Sequence, residues 1–185
     1  EIYEQRTIIQ DMTSRFVGKN KILPNIFGHN TDKFLENIEH IHFVACGTSY
    51  HASLVAKDWI EQFTKITCTA EVASEYKYKK INVLPKTLFV SISQSGETAD
   101  TISSLKKALK LSYTNTLAIC NVAESTLTRL SGMNFLMNAG PEISVASTKA
   151  FTSQLFTLLL LTVILSRKYG KTEKKMVQDL SLIHI

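Results

Sequence analysis

The chain has 185 residues, with 21 Lys and Arg against 16 Asp and Glu, a formal net charge of +5. Hydrophobic residues make up 44% and charged residues 20%, the balance of a globular fold rather than a disordered or fibrous chain. Its lysines fall in short groups (76–80, 106–107, 171–175), none a block of the kind that makes a nucleic-acid tail, so no nucleic-acid partner is expected.

Residues 1–16 read as a mixed helical stretch, and 18–30, with Gly18, Pro24, Gly28 and Asn30, as a connector. From residue 41 a regular alternation begins. The runs 41–45, 66–72, 87–93, 116–122 and 134–140 are short and largely apolar, the second alternating and rich in β-branched residues, which predicts five strands. Between them, apolar residues recur at helical spacing: 52, 55, 56, 59, 60 and 63, then 99, 102, 105, 108 and 109. Residues 123–131 predict a short helix, 148–168 a long one, and Gly170 its stop. The most apolar segment, 155–165, is shorter than the roughly 20 residues a membrane span needs, so a buried or interface helix is expected and no membrane partner. Apolar residues at 176, 177, 180 and 183 keep helical spacing to the end of the chain, as if it continued.

Strands alternating with helices imply βαβ units and a parallel sheet covered on both faces. The expected fold class is therefore α/β: a three-layer α/β/α sandwich with a five-stranded parallel sheet in the flavodoxin-like order 2-1-3-4-5. Three cysteines, Cys46, Cys68 and Cys120, stand far apart in apolar runs with no CxxC, which argues for reduced, buried thiols and a cytoplasmic setting. Histidine spacing offers no HExxH, and GxGxxG and GxxxxGK[ST] are absent. Neither a metal nor any other cofactor is expected, and no residue stands out as catalytic.

In open parallel sheets, ligands bind beyond the carboxyl ends of the strands where strand order switches. The order 2-1-3-4-5 puts that point between the first and third strands. The loops there are Cys46-Gly47-Thr48-Ser49 and Ser93-Gln94-Ser95-Gly96-Glu97-Thr98, and a third, 140–150, follows the fifth strand on the same edge. All three carry hydroxyls next to a helix start. A helix N-terminus offers unpaired N–H groups and partial positive charge, and Ser and Thr add donors suited to phosphate oxygens. Gly96 is expected to clear a side chain from the path of the anion. Ser95 has a second reading, as the N-cap of the following helix. Glu97 would repel a phosphate, so its carboxylate must turn elsewhere.

The motifs "ACGTSYHASLVAKDW", "EVASEYKY", "SISQSGETADT", "LAICNVAEST" and "EISVASTKAFTSQL" resemble the isomerase domain of the glutamine–fructose-6-phosphate aminotransferases, which has the sugar-isomerase (SIS) fold. "EIYEQ" at the start is similar to the linker that follows the glutaminase domain in that family. The resemblance covers roughly residues 1–168 and implies an enzyme making glucosamine 6-phosphate from fructose 6-phosphate and glutamine. It further implies that Ser93, Gln94, Ser95 and Thr98 hold the phosphate. The sugar would meet Cys46, Gly47, Thr48 and Ser49, together with Val145 and Ser147.

The family's isomerisation glutamate, ring-opening histidine and Schiff-base lysine lie in a second SIS half and tail, which nothing in this sequence matches. The expected organisation is thus an N-terminal linker and helix (1–35), a first SIS half (36–170), and the start of a connector to a second half (171–185). Alone, the fragment is expected to bind without turning over. The expected partners are fructose 6-phosphate or glucosamine 6-phosphate, the glutaminase domain and second SIS half, and a second copy in a homodimer. A sugar-phosphate-sensing regulatory module is the alternative reading, and a free-standing aldose–ketose isomerase a third.

Overall fold

A computed structural model of the protein describes residues 1–18, 21–23 and 25–169. Helix α1 (Glu4–Phe16) leads into a two-residue antiparallel hairpin, β1 (Val17–Gly18) and β2 (Lys21–Ile22), and then α2 (Thr31–Phe34). The alternating body follows as β3 (His40–Ala45), α3 (Gly47–Phe63), β4 (Thr67–Val72), α4 (Ala73–Tyr76) and β5 (Thr87–Ser93). It continues through α5 (Ala99–Ala108), β6 (Asn115–Cys120), α6 (Thr126–Leu130), β7 (Met133–Leu136) and α7 (Lys149–Tyr169). The hairpin overlaps the 18–30 stretch that the sequence offered only as a connector, and α2 starts directly after it. Gly170 and the 176–183 periodicity lie outside the described residues.

The five long-range strands form one parallel sheet in the order β4-β3-β5-β6-β7, which is 2-1-3-4-5 counted along the sheet's own strands. Every residue of β5 is buried, as expected of a strand covered on both faces. Strand alternation divides the core in two. Ile41, Phe43 and Ala45 of β3, Leu88, Val90 and Ile92 of β5, and Leu117 and Ile119 of β6 face α1, α3 and α7. Between them in sequence, Val44, Phe89 and Ala118 face α4, α5 and α6. His42 shares that second face, its ring centroid 5.3 Å from Tyr76, 5.9 Å from Tyr113 and 6.4 Å from Phe89.

Helix α7 has the mean hydropathy, 1.5, and the length, 21 residues, of a membrane span, but 72% of its apolar window is buried inside this fold. It packs along α3 and α1. The sequence expectation for 155–165 is a buried or interface helix, and Phe156, Leu158, Leu160, Leu161, Val163 and Leu165 are buried by the chain's own residues. The buried hydroxyls of this helix are satisfied locally. Ser153, Thr157 and Thr162 each donate a side-chain hydrogen bond to the carbonyl four residues back, at 2.8 Å.

Two elements end earlier than their apolar patterns suggest. Helix α5 stops at Ala108, leaving Leu109 half in solvent. Strand β7 stops at Leu136 because the side chain of Asn121 takes over its pairing: Asn121 Oδ1 accepts from Ala139 N at 2.7 Å and Nδ2 donates to Gly140 O at 2.8 Å. Asn138 (φ +53°) and Gly140 (φ +73°) then turn the chain out of extended conformation.

Candidate sugar-phosphate site

Register places the first two loops side by side. Ala45, the last residue of β3, pairs with Ile92 of β5, so Cys46 and Ser93 leave the sheet as neighbours on its carboxyl edge. Thr101 of α5 reaches Cys46 Sγ at 4.0 Å, a weak contact that ties the two loops together. Cys46 is half-buried and extended (φ −118°), and Gly47 opens α3 at φ +56°. A Cβ on Gly47 would meet nothing within 4 Å, so backbone conformation rather than space favours glycine there. Thr48 is exposed, whereas Ser49 is buried in the first turn and accepts a 3.0 Å hydrogen bond from Gln154 Nε2 of α7.

The second loop is a self-bonded turn. Buried Ser93 accepts from Gly96 N at 3.0 Å and shares a proton with Thr98 Oγ1 at 3.2 Å. Ser95 Oγ accepts from Glu97 N at 3.2 Å and keeps its own proton to give. The N-cap reading of Ser95 is not what the fold adopts, since α5 begins at Ala99 with Thr98 in the cap position. Ile102 N is the first amide to bond along the helix, to Thr98 O, which leaves the first-turn N–H groups at the loop without intrahelical partners. Gln94 and Ser95 are half-buried, and Gln94 O accepts from Asn121 N at 3.1 Å.

Gly96 serves a purpose different from the one expected. Its φ is +68°, and a Cβ there would lie 2.1 Å from Ser125 Oγ, 2.5 Å from Ser125 Cβ and 2.8 Å from Cys120 Sγ. The missing side chain lets the turn press against β6 and the start of α6; it does not clear a path for an anion. Gly96 O completes the seam by accepting from Leu127 N at 3.1 Å.

Both carboxylates near this turn are engaged elsewhere. Glu97 Oε1 accepts from Thr126 N at 2.6 Å, and that bond, with a smaller contribution from the Thr126 side chain, holds its carboxyl below the usual range. Asp100, in the first turn of α5, pairs with Lys77 at 2.7 Å. The turn therefore presents hydroxyls and helix-terminal amides with its negative charges directed away.

The third loop starts at β7, three strands from β3, or about 14 Å at normal strand spacing. Asn121 links its start to the second loop, donating to Gln94 O and to Gly140 O, and α7, into which the third loop leads, packs on α3. Glu142 Oε1 accepts from Thr148 N (2.8 Å) and Ala150 N (3.2 Å), closing the start of α7. From the N-terminal end, Glu1 Oε1 accepts from Ile143 N at 2.6 Å and Ser144 N at 3.1 Å, and Glu4, at the start of α1, pairs with the buried Lys149 at 2.5 Å. Val145 stands fully exposed at the loop tip, and Ser147 is half-buried. The side-chain oxygens of Ser147 and Thr148 are buried without a partner among the described residues, a cost of about 1–3 kcal/mol each that a ligand or water would relieve.

An open cleft of about 550 Å³ lies at this edge, lined by Gln94, Asn121, Asn138, Gly140 and Glu142 among others. Of the expected site residues it takes in only Gln94. A second hollow, about 250 Å³, sits where β3, β4 and β5 begin, at the opposite end of the sheet, around His40, His42 and Glu71. Asn121, Glu142 and Gln154 shape the site without having been expected. None of the three left a clear sequence signal: Gln154 stands at the polar edge of the apolar 155–165 run, after Thr152 and Ser153. Among the thiols, Cys68 and Cys120 are buried and Cys46 is half-buried; burial, reinforced by Glu61, pushes the Cys68 thiol up to about 12.

Comparison with known proteins agrees with this geometry. The SIS domain family model matches residues 34–164. The chain is 49% identical over 173 residues to a glutamine–fructose-6-phosphate aminotransferase (isomerizing) of Pseudomonas putida, covering 94% of this chain and 28% of the relative. It is 50% identical over 163 residues to the protein of the same name from Pseudomonas aeruginosa, covering 88% of this chain and 27% of that one. The chain thus spans little more than a quarter of the length of these relatives. Among solved structures, the C-terminal domain of glucosamine-fructose-6-phosphate aminotransferase from Francisella tularensis superposes with a TM-score of 0.93 at 42% identity, over 98% of this chain and 51% of that chain. Sheet order, loop placement and sequence agree, and the chain belongs to the SIS domain family.

Proposed function

We infer that this chain is the first SIS half of the isomerase domain in a glutamine–fructose-6-phosphate aminotransferase, and that its part in the enzyme is to hold fructose 6-phosphate or the glucosamine 6-phosphate product. The observation that carries the reading is the juxtaposition of loops 46–49 and 93–98 at the strand-order switch, with Glu97 and Asp100 both turned onto other partners. Ser93, Gln94, Ser95 and Thr98 take the phosphate, helped by the first-turn amides of α5. Cys46, Gly47, Thr48 and Ser49 meet the sugar, with Val145 and Ser147 closing from the third loop.

Neutral donors suit this task. A phosphate oxygen accepts a hydrogen bond from each hydroxyl, and a hydrogen bond to a charged group contributes about 1.5–3 kcal/mol. The chain contributes binding and orientation. Acid–base and amino-transfer chemistry falls to the second SIS half and the glutaminase domain, and the assembled enzyme is a cytoplasmic homodimer. Residues 1–35 join the glutaminase side, 36–170 form the half-domain, and 171–185 begin the connector.

Calorimetric titration of the full-length enzyme with fructose 6-phosphate tests the phosphate assignment. Ser95→Ala is expected to weaken binding about 10-fold, the equivalent of roughly 1.4 kcal/mol. Equal affinity in variant and parent would remove it.

A further inference from the structure

We propose that Gln154 is a positioning residue for the sugar site: its side-chain amide fixes the hydroxyl rotor of Ser49 so that the serine proton points toward the ligand. The proposal rests on the functional reading above, which places Ser49 against the sugar.

Gln154 is fully buried, one turn and a half into α7, in a helix whose neighbouring buried positions are mainly apolar. The other buried hydroxyls of this helix donate to carbonyls of the helix itself, whereas Gln154 spends its hydrogen bond on a residue 105 positions away, Ser49 Oγ at 3.0 Å. Its Oε1 is buried with no partner among the described residues. An amide kept in an apolar helix with one end unpaired is costly by any packing criterion. Leucine or methionine would fill the volume without that cost, so the bond to Ser49 is what the glutamine provides.

Direction is the useful part of that bond. An amide NH₂ can only donate, so Ser49 Oγ accepts. The serine's single proton is not consumed by Gln154, and among the described residues Ser49 has no acceptor for it. With one lone pair committed to α7, the rotor is restricted and its proton is left to be donated beyond the first turn of α3, where the helix N-terminus already favours an electron-rich group. The ligand group is a sugar hydroxyl or carbonyl oxygen acting as acceptor. The same contact also joins the third loop's helix to the first loop, so Ser49 and Ser147 are held in one frame.

The test uses the full-length enzyme, with fructose 6-phosphate as probe, in a double-mutant cycle between Ser49 and Gln154. Gln154→Met keeps length and removes the donor. It is expected to weaken binding about 5-fold, the scale of one hydrogen bond, with the melting temperature unchanged or raised. Ser49→Ala is expected to weaken binding by a similar or larger factor, and the double variant to be no weaker than Ser49→Ala alone. Gln154→Leu provides the same readout should the methionine variant fail to fold. Parent-like affinity in both Gln154 variants would overturn the proposal while leaving the function in place, as would losses that multiply in the double variant. Should Ser49→Ala itself bind like the parent, the proposal falls together with the sugar contact assigned to Ser49. The phosphate assignment is judged separately by Ser95→Ala.

Discussion

Replacing Gly96 by alanine should damage the candidate site through packing, without removing any group that touches a ligand. Two costs add. Alanine at φ +68° sits in the left-handed region, worth about 1–2 kcal/mol. Its Cβ would also stand 2.1 Å from Ser125 Oγ, 2.5 Å from Ser125 Cβ and 2.8 Å from Cys120 Sγ, none of them the end of a long flexible side chain. Overpacking of a close-packed seam costs about 1–3 kcal/mol. Gly96→Ala should therefore destabilise the chain by about 2–5 kcal/mol in urea unfolding followed by circular dichroism.

The two costs can be separated. Ser125→Gly removes the atoms at 2.1 and 2.5 Å and leaves Cys120 at 2.8 Å. Ser125 also caps α6, accepting from Thr128 N at 3.4 Å, but glycine at an N-cap costs only a few tenths of a kcal/mol relative to serine. In the double variant the overpacking should fall by about 1–2 kcal/mol while the backbone strain remains, a coupling well above the additivity error. Gly96→Ala within 0.5 kcal/mol of the parent, or additive with Ser125→Gly, would refute the account of Gly96 as a packing glycine. The alternative, that glycine clears a path for an anion, predicts lost ligand affinity with stability unchanged.

Two other outcomes follow from buried groups. His42 is held below its ordinary pKa of 6.5, chiefly by burial, against the opposing pull of Glu71 and with a small further push from Lys79; Tyr113 bonds its Nδ1 at 2.8 Å, and Tyr76 and Phe89 pack on the ring. The unfolded chain binds this proton more readily than the folded one, so stability is complete above pH 6.5 and declines as pH falls from there toward the lowered folded value. His42→Gln should flatten that part of the profile in urea midpoints measured from pH 7.5 to 5; an unchanged slope would exclude His42 as its source. Thiol labelling of the native protein should modify half-buried Cys46 first, with Cys68 and Cys120 reacting only on unfolding, and fructose 6-phosphate should slow the Cys46 reaction. Mass spectrometry would read the sites, and ligand-independent labelling of Cys46 would separate it from the sugar.

The amino-acid sequence by itself determined the alternation of strands and helices, and with it the carboxyl edge where hydroxyl-rich turns gather. Those features are local: side-chain period, helix starts, and short apolar runs that demand cover on both faces. It also required that Glu97 turn away from an anion, because a carboxylate beside a bound phosphate would repel it. Only the tertiary structure decided where. Glu97 finds Thr126 N, 29 residues on; Gly96 makes room for Ser125; and Asn121 ends β7 by bonding Ala139 and Gly140. Likewise α7, expected from its sequence as a buried or interface helix, is buried by the chain's own residues, and in packing on α3 it brings Gln154 to Ser49. Pairings between residues tens of positions apart depend on how layers stack, and no periodicity within a single segment encodes them.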